Sequence, residues 1–403
     1  MNPVSHASET GEDKSFSADA SKLDQNVVLL VNIVAPNLIE VGRELSRRIR
    51  NFTILTSVSM EANRQWQPEW EGIQVIVQRT KSFRYEQRHP NGFTRESFMH
   101  FPLDTLPQLR RLRPDTVISL ELGARSATTS LYRRFHRQCR HLIAVFASEH
   151  TEMSIGRLRT WQRQRLLSLA DGVTYNGPSG KQYLQRIGVP SDKLFPWSYA
   201  ADPRKIYRGS ILNEPHGSRA LRLLTIGQLT NRKGVLPAAQ QLAEWARLHP
   251  DVRIEWKCVG TGEQADELRN TPRPDNLHLD LPGHCDPEEL RRYYEEFPVL
   301  LFPTLGDEWG LVVDEAMASG MAVIGSRYSQ AAETLIANGR NGWTYDPLHD
   351  DSLGKQLDRW LEMSPAERLV MREHAREDVA HRTPAAAAQE LVHAIQACHA
   401  RRR

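Results

Sequence analysis

The sequence predicts an α/β protein made of two doubly wound lobes that face each other across a cleft. Three observations lead there. The 403 residues exceed the length over which one hydrophobic core keeps growing, so two domains of roughly 200 residues or fewer are expected. Short apolar runs alternate with helical or irregular stretches in both halves, as a parallel sheet with crossover connections requires. The polar stretch from Asp202 to Ser218, with Pro203, Gly209, Pro215 and Gly217, breaks that alternation once and reads as the linker.

The elements follow in order. Residues 1–26 are polar, mixed in charge and rich in Ser, Ala and Asp; they lack a signal-peptide pattern and are expected to form a disordered leader. VVLLVNIV (Val27 to Val34) reads as a buried strand, and Asn37 to Arg50 has helical spacing with Leu38, Val41, Leu45 and Ile49 on one face. Apolar runs at Phe52 to Val58, Ile73 to Val77, Thr116 to Leu120, Leu142 to Phe146 and Gly172 to Tyr175 supply further strands of a first lobe, residues 27–203. The alternation resumes at Leu221 for a second lobe, residues 204–380, and residues 381–403 form a terminal helix. Ligands of open sheets gather at the carboxyl ends of the strands, and in two facing lobes those ends share the cleft.

Composition narrows the class. Hydrophobic content of 40% and charged content of 25% describe a globular chain, and no apolar run reaches the ~18 residues of a membrane span. The expected compartment is the cytoplasm. Cys139, Cys258, Cys285 and Cys398 lie far apart with no C-x-x-C pair, so neither structural disulfides nor zinc are expected. Net charge is only +3, yet Ser21 to Pro203 holds 26 Lys plus Arg against 16 Asp plus Glu. Arginines interleave with apolar residues in LPQLRRLRP (Leu106 to Pro114) and LYRRFHRQCRH (Leu131 to His141). Two readings stay open for them: solvated helix faces, or a surface for an anionic membrane's inner face or an anionic acceptor. No recognition motif accompanies the charge, so nucleic acid is not an expected partner.

Two segments carry the chemistry. In GDEWGLVVDEAMASGMAVIG (Gly306 to Gly325), Asp307 and Glu315 stand eight positions apart. Gly310 permits a tight turn, Leu311 to Ser319 reads as a helix apolar nearly all round, and Gly320 stops it. A carboxylate at Glu315 on such a helix costs several kcal/mol to bury unless it is paired or hydrogen-bonded, and two partners stay open: a ribose hydroxyl pair or a structural arginine. The amides at Gly310, Leu311 and Val312 form a helix start that favours a phosphate or an electron-rich hydroxyl. The second segment, LRLLTIGQLTNRKG (Leu221 to Gly234), reads as strand, glycine turn, basic loop and new helix with Pro237 in its first turn. Arg232 and Lys233 beside that helix start make a site for a diphosphate.

Taken in order, GQLTNRKG, IEWKCVGTGEQADELR, LHLDLPGHCDPEELRRYYEEFPVLLFP, GDEWGLVVDEAMASGMAVIG and AAETLIANGRNGWTYDP resemble glycosyltransferase family 4, also called glycosyltransferase group 1. The resemblance covers the C-terminal half closely and the N-terminal half loosely. It implies the GT-B fold of two Rossmann-like lobes, the first on the acceptor side and the second binding a nucleotide sugar, and a retaining sugar transfer. It assigns Lys233 to the diphosphate, Asp307 to the donor sugar hydroxyls and Glu315 to the ribose, with backbone amides from Gly310 and Leu311. Gly227, Gln228, Arg232, Gly260, Gly283, His284 and Val312 complete the expected donor site; for His284 two readings stay open, a contact to the base or an exposed loop histidine. The terminal helix is expected to pack back on the first lobe.

Two positions depart from the family pattern. Gln228 stands where the family carries arginine, and Asp307 replaces the first glutamate of the Glu-x7-Glu pair. Gln228 leaves a neutral amide in place of one permanent charge, Asp307 keeps the carboxylate on a shorter side chain, and both bear on donor affinity and sugar preference. The Asp-x-Asp pair that metal-dependent sugar transferases use is absent from the sequence, so neither metal nor other cofactor is expected.

In the first lobe, the strand Leu142 to Phe146 runs into ASEHTE, at the carboxyl end where the cleft should be. The resemblance makes His150 a catalytic candidate beside Asp307 and Lys233; the other reading is a helix-capping cluster with Thr151, Glu152 and Ser154. Glu149, and Glu121 in SLELGARS, are acceptor-side candidates. NGPSGK (Asn176 to Lys181) has neither phosphate-loop nor hydrolase-elbow spacing and reads as a strand end and helix cap. The expected activity is transfer of a hexose or related sugar from a nucleoside diphosphate to a carbohydrate or lipid-linked acceptor hydroxyl, in polysaccharide or glycolipid synthesis. The alternatives are a non-catalytic nucleotide-sugar-binding protein and a sugar-nucleotide epimerase of the same fold.

Overall fold

The computed structural model describes residues 22–61, 69–149, 151–152, 156–212 and 220–401. The first lobe runs β1 (Leu23–Val31), α1 (Pro36–Arg48), β2 (Ile49–Thr56), β3 (Gln74–Val77), β4 (Thr80–Arg88), β5 (Thr94–Pro102) and α2 (Thr105–Leu112). It continues with β6 (Thr116–Leu120), α3 (Ala124–Phe135), β7 (Arg140–Ala144), α4 (Arg157–Ser168), β8 (Gly172–Tyr175), α5 (Pro178–Arg186) and β9 (Leu194–Pro196). The second lobe holds β10 (Ala220–Ile226), α6 (Val235–Leu248), β11 (Arg253–Val259), α7 (Ala265–Asn270), β12 (Leu277–Gly283), α8 (Pro287–Glu296) and β13 (Val299–Phe302). Then come α9 (Leu311–Ala318), β14 (Ala322–Ser326), α10 (Gln330–Leu335), β15 (Gly342–Tyr345), α11 (Asp350–Glu362), α12 (Pro365–Val379) and α13 (Pro384–Ala400).

Seven strands form the first sheet in the order β3-β2-β1-β6-β7-β8-β9, and six form the second in the order β12-β11-β10-β13-β14-β15. All neighbours are parallel. Helices cover both faces, so central strands such as VLLF in β13 and AVIGS in β14 are buried throughout and lack the in-out alternation of a half-solvated strand. Strand order reverses between β1 and β6 in one lobe and between β10 and β13 in the other, which places the crevices for ligands. β1 starts at Leu23, four residues inside the expected leader, because Leu23 pairs with Ile49 of β2. Part of the expected linker, 213–219, lies outside the described residues.

The lobes are linked twice. The chain crosses from β9 into the second lobe, and after α12 it returns, so that α13 buries Ala387, Leu391, Val392, Ile395 and Cys398 in the first lobe's core beside Leu38, Val41 and Leu45 of α1. At the return crossing, Arg382 Nε lies 2.6 Å from Asp314 Oδ1 and both side chains are almost fully buried. Its Nη2 donates to the Tyr199 carbonyl at 3.1 Å, and its guanidinium sits 4.8 Å from the centre of the Trp309 ring. Trp309 Nε1 donates to the other Asp314 oxygen. The expected all-apolar helix α9 therefore carries a second buried carboxylate. Burial raises the Asp314 pKa, and Arg382 opposes that rise.

One element departs from the expected helical or irregular stretch between β3 and α2. β4 and β5 form a two-stranded antiparallel ribbon outside both sheets. Its strands, TKSFRYEQR and TRESFMHFP, are too polar to read as core strands, because neither face packs in a sheet. The usable signal was Asn91-Gly92 between two alternating runs, a strong short-range hairpin mark. All four cysteines are free and buried. Among the described residues no helix is long and apolar enough to cross a membrane.

Candidate active site

At the carboxyl edge of the second sheet, Gly227, Gly260 and Gly283 end β10, β11 and β12 side by side. The Gly227 N–H donates to the Val259 carbonyl at 2.9 Å, and the Gly260 N–H donates to the Gly283 carbonyl at 2.7 Å. Gly260 has φ 139°, and a side chain there would run into the Gly227 carbonyl. The result is a floor of bare backbone. Gln228 is exposed just beyond it. Arg232 and Lys233 follow on the single turn Asn231–Lys233 that leads into α6, with Pro237 in that helix's first turn.

Both cations converge on one carboxylate. Lys233 Nζ forms an ion pair with Asp307. Arg232 Nη1 lies 3.2 Å from the same oxygen and donates to the Gly306 carbonyl at 3.0 Å. Asp307 sits in the loop between β13 and α9, its N–H held by the Tyr328 carbonyl at 3.0 Å. Gly310, with φ 106°, turns the chain into α9 where a side chain would press on the Phe302 ring. Leu311 and Val312 form the first helical turn, whose amides lack intrahelical acceptors.

Glu315 lies one turn further on and is 5% exposed. Its Oε2 accepts a hydrogen bond from the Tyr294 hydroxyl at 2.8 Å, and its Oε1 is 3.2 Å from Lys205 Nζ. Burial raises its pKa; the Lys205 charge and the Tyr294 hydroxyl oppose the rise. The partner that the buried carboxylate demands thus comes from α8 and from the crossing segment, two places the sequence does not connect.

The first lobe supplies the opposite wall. A cleft of about 730 Å3 is bounded there by residues including Asn32, Glu121, Arg125 and Arg163, and from the second lobe by Gln228, Thr230, Arg232 and Glu308. Arg232, which pairs with Asp307, lines it; Lys233, Asp307, Glu315, His284 and Glu149 do not. His284 is exposed on the loop before α8. Glu149 makes a partly exposed ion pair with Arg186 at 3.4 Å, and its N–H is held by Ser179. The strand end thus turns its side chain toward Arg186 of α5. His150 lies outside the described residues.

Glu121 does face the cleft. It ends β6 in the left-handed conformation at φ 67°, a geometry that costs a non-glycine residue about 1–3 kcal/mol and persists only where the surroundings hold it. The Phe146 N–H binds its carboxylate and Arg125 lies nearby, but burial, then Glu308 across the cleft, then Glu152, push its pKa up to about 7. Arg125 is itself buried, donating to Asn32, to Ser57 Oγ at 3.0 Å and to the Leu120 carbonyl. Arg163 pairs with Glu152 at 2.8 Å and contacts the Tyr183 hydroxyl. Because the folded pKa of Glu121 exceeds its unfolded value, the folded state holds the extra proton between the two, and stability falls as pH rises through that window. Glu121→Gln should therefore raise the melting temperature above pH 7 and leave it unchanged near pH 4, which thermal unfolding across pH will measure.

Sequence reasoning missed Glu308, Arg163, Lys205 and Tyr294, and read Glu152 only as a helix cap, because their contacts join distant elements. It also missed Gln330 of α10, whose Nε2 donates to the Glu308 carbonyl at 2.8 Å and to Asn176 at 3.1 Å. Its Oε1 accepts the Gly180 N–H at 2.8 Å. NGPSGK thus provides the strand end and start of α5 on which the second lobe docks.

Two parallel-sheet lobes around such a cleft match known structures along nearly their whole length. A sucrose-phosphate synthase from Thermosynechococcus elongatus aligns over 93% of this chain and 100% of its own, with TM-score 0.66 and 16% identity. Anabaena HepE, in complex with UDP and glucose, aligns over 92% and 99%, with TM-score 0.66 and 13% identity. The fold is GT-B. Within this GT-B chain, residues 220–363 match the family described as glycosyl transferases group 1. The amylovoran biosynthesis glycosyltransferase AmsK of Erwinia amylovora is 28% identical over 170 residues, 39% of this chain and 39% of that protein. An uncharacterized glycosyltransferase of Haemophilus influenzae is 24% identical over 164 residues, 39% of this chain and 46% of the relative. The GT-B chain thus spans less than half the length of these curated relatives. The matched family segment contains Lys233, Asp307 and Glu315, and the hairpin and Glu121 lie outside it.

Proposed function

We propose that this protein is a retaining glycosyltransferase that moves a sugar from a nucleoside diphosphate to an acceptor hydroxyl, without a metal cofactor. The observation that carries the reading is the convergence of Arg232 and Lys233 on Asp307 beside a side-chain-free glycine floor, with Arg232 lining a cleft whose far wall is another lobe. Charge that develops on a departing diphosphate is the largest electrostatic demand of such a reaction, and two cations at the amide ends of α6 and α9 meet it. A bound diphosphate competes with Asp307 for Lys233, which frees the Asp307 carboxylate to accept hydrogen bonds from sugar hydroxyls. Glu315 would accept from the ribose once Lys205 or Tyr294 yields. Gln228 contributes a neutral amide where a cation would bind more strongly.

The polysaccharide role named for AmsK and the UDP and glucose named for HepE make a glycan acceptor and a uridine donor the first choices to test. Lobe closure keeps water from the reacting carbon, and α5 and α10 already meet through Gln330 at one side of the cleft. The protein should release nucleoside diphosphate slowly from one member of a panel of UDP-, GDP- and ADP-sugars, and faster with its acceptor. Tight binding of a nucleotide sugar with no turnover under any acceptor would replace this reading with that of a binding protein.

A further inference from the structure

The β4–β5 ribbon belongs to the first lobe, yet its tip touches the loop that carries Asp307. Asn91 Nδ2 donates to the Leu305 carbonyl at 2.6 Å. Phe93 is only 4% exposed although it sits at the end of an isolated ribbon, and a Cβ built on Gly306 would lie 2.9 Å from the Phe93 ring. Gly306 is not among the glycines with positive φ, so its missing side chain serves this contact and not a turn. The tip is braced from within. His89 and Phe93 stack at 4.5 Å, the His89 N–H donates to the Phe93 carbonyl at 2.8 Å, and the Gly92 N–H donates back to His89 at 3.0 Å.

From its other side the same loop is held by Arg232. The Arg232 carbonyl accepts from the Leu305 N–H at 2.8 Å and from the Thr304 hydroxyl at 3.1 Å, while its guanidinium donates to the Gly306 carbonyl. The loop Thr304–Asp307 is therefore clamped between a cation of the donor site and a ribbon from the opposite lobe. We propose that the β4–β5 ribbon is a strut across the cleft, and that Asn91 and Phe93 are positioning residues that set Asp307 and Arg232 for the donor. A tip that reaches the loop only when the lobes are close makes the alignment of Asp307 conditional on closure. The catalytic part of this inference rests on the transferase reading above; the mechanical part does not.

Two measurements separate them. In hydrogen exchange on the full unliganded chain, peptides covering Leu305 to Asp307 should be protected. Phe93→Ala should make them exchange at least about tenfold faster, while peptides of β13 keep their rates. Fast exchange in the wild type, or no change in the variant, overturns the strut. In donor turnover, Phe93→Ala and the near-isosteric Asn91→Asp should lower kcat by roughly ten- to a hundredfold. KM for the donor should stay within about threefold, since the diphosphate contacts at Lys233 remain, and Phe93→Leu should restore most of the rate. Equal kcat in an active wild type and in both variants overturns the positioning role. If the wild type turns over no donor, the transferase reading fails, and the exchange experiment still decides the strut.

Discussion

Lys233→Ala is expected to lower sugar transfer by about 10²–10³-fold, the usual loss when one stabilising group is removed from a developing anion. The geometry explains the size of the effect. Lys233 and Arg232 share one Asp307 oxygen, so in the free protein neither cation has Asp307 to itself, and a diphosphate between them gains both. Arg232 remains after the substitution and keeps the Gly306 carbonyl, so residual activity above the uncatalysed rate is expected. Lys233→Arg should recover only part of the loss, because a planar fork on the same turn cannot place a point charge where the ammonium stood. Folding should be affected less than by breaking a fully buried pair, because Arg232 still neutralises Asp307 after the substitution. Initial rates and thermal unfolding of the same preparations test both halves. More than a tenth of wild-type activity in Lys233→Ala would mean that the diphosphate is held elsewhere.

Arg382→Ala carries the largest stability effect. It strands the Asp314 carboxylate in the hinge between the lobes, 3% exposed, and breaking one side of such a buried pair costs about 3–5 kcal/mol. At roughly 2–4 °C per kcal/mol, the melting temperature should fall by roughly 10 °C. The deficit should depend on pH. Burial already raises the Asp314 pKa, and loss of Arg382 removes the opposing charge, so the folded variant takes up a proton that the unfolded chain does not. Stability then falls as pH rises through that window, and the variant should be closer to wild type at pH 5 than at pH 8. Asp314→Asn in the Arg382→Ala background should recover part of the loss at pH 8. A uniform deficit at both pH values would show that packing of Arg382 on Trp309, and not the charge, is what matters.

Strands were legible where burial on both sheet faces left unbroken apolar runs: Thr116–Leu120 and Gly172–Tyr175 have the same ends in sequence and structure. The site was legible where chemistry is local. Arg232 and Lys233 precede α6 within one segment, and Gly310 opens α9 within another, so each half of the candidate site could be read from a few neighbouring residues. What joins distant segments was not legible. Nothing in the sequence near Glu315 points to Tyr294 or Lys205, and Glu308 meets Glu121 only because two switch points face each other. Arg382 reads as one more surface arginine until the chain's return crossing buries it. Glu149 stands at the strand end that the sequence indicates, but the ion pair it makes there with Arg186 of α5 has no local signal in the sequence.

The helix α13 also bears on how the protein matures. Its Leu391, Val392 and Ile395 complete a hydrophobic layer otherwise made by α1 and the first sheet. During synthesis the first lobe is made before α13, so part of its apolar surface stays open until α13 follows, while the second lobe has its own interior. Order of translation and order of completion are reversed, and the interval between them is when holdase chaperones would find the first lobe's unfinished face.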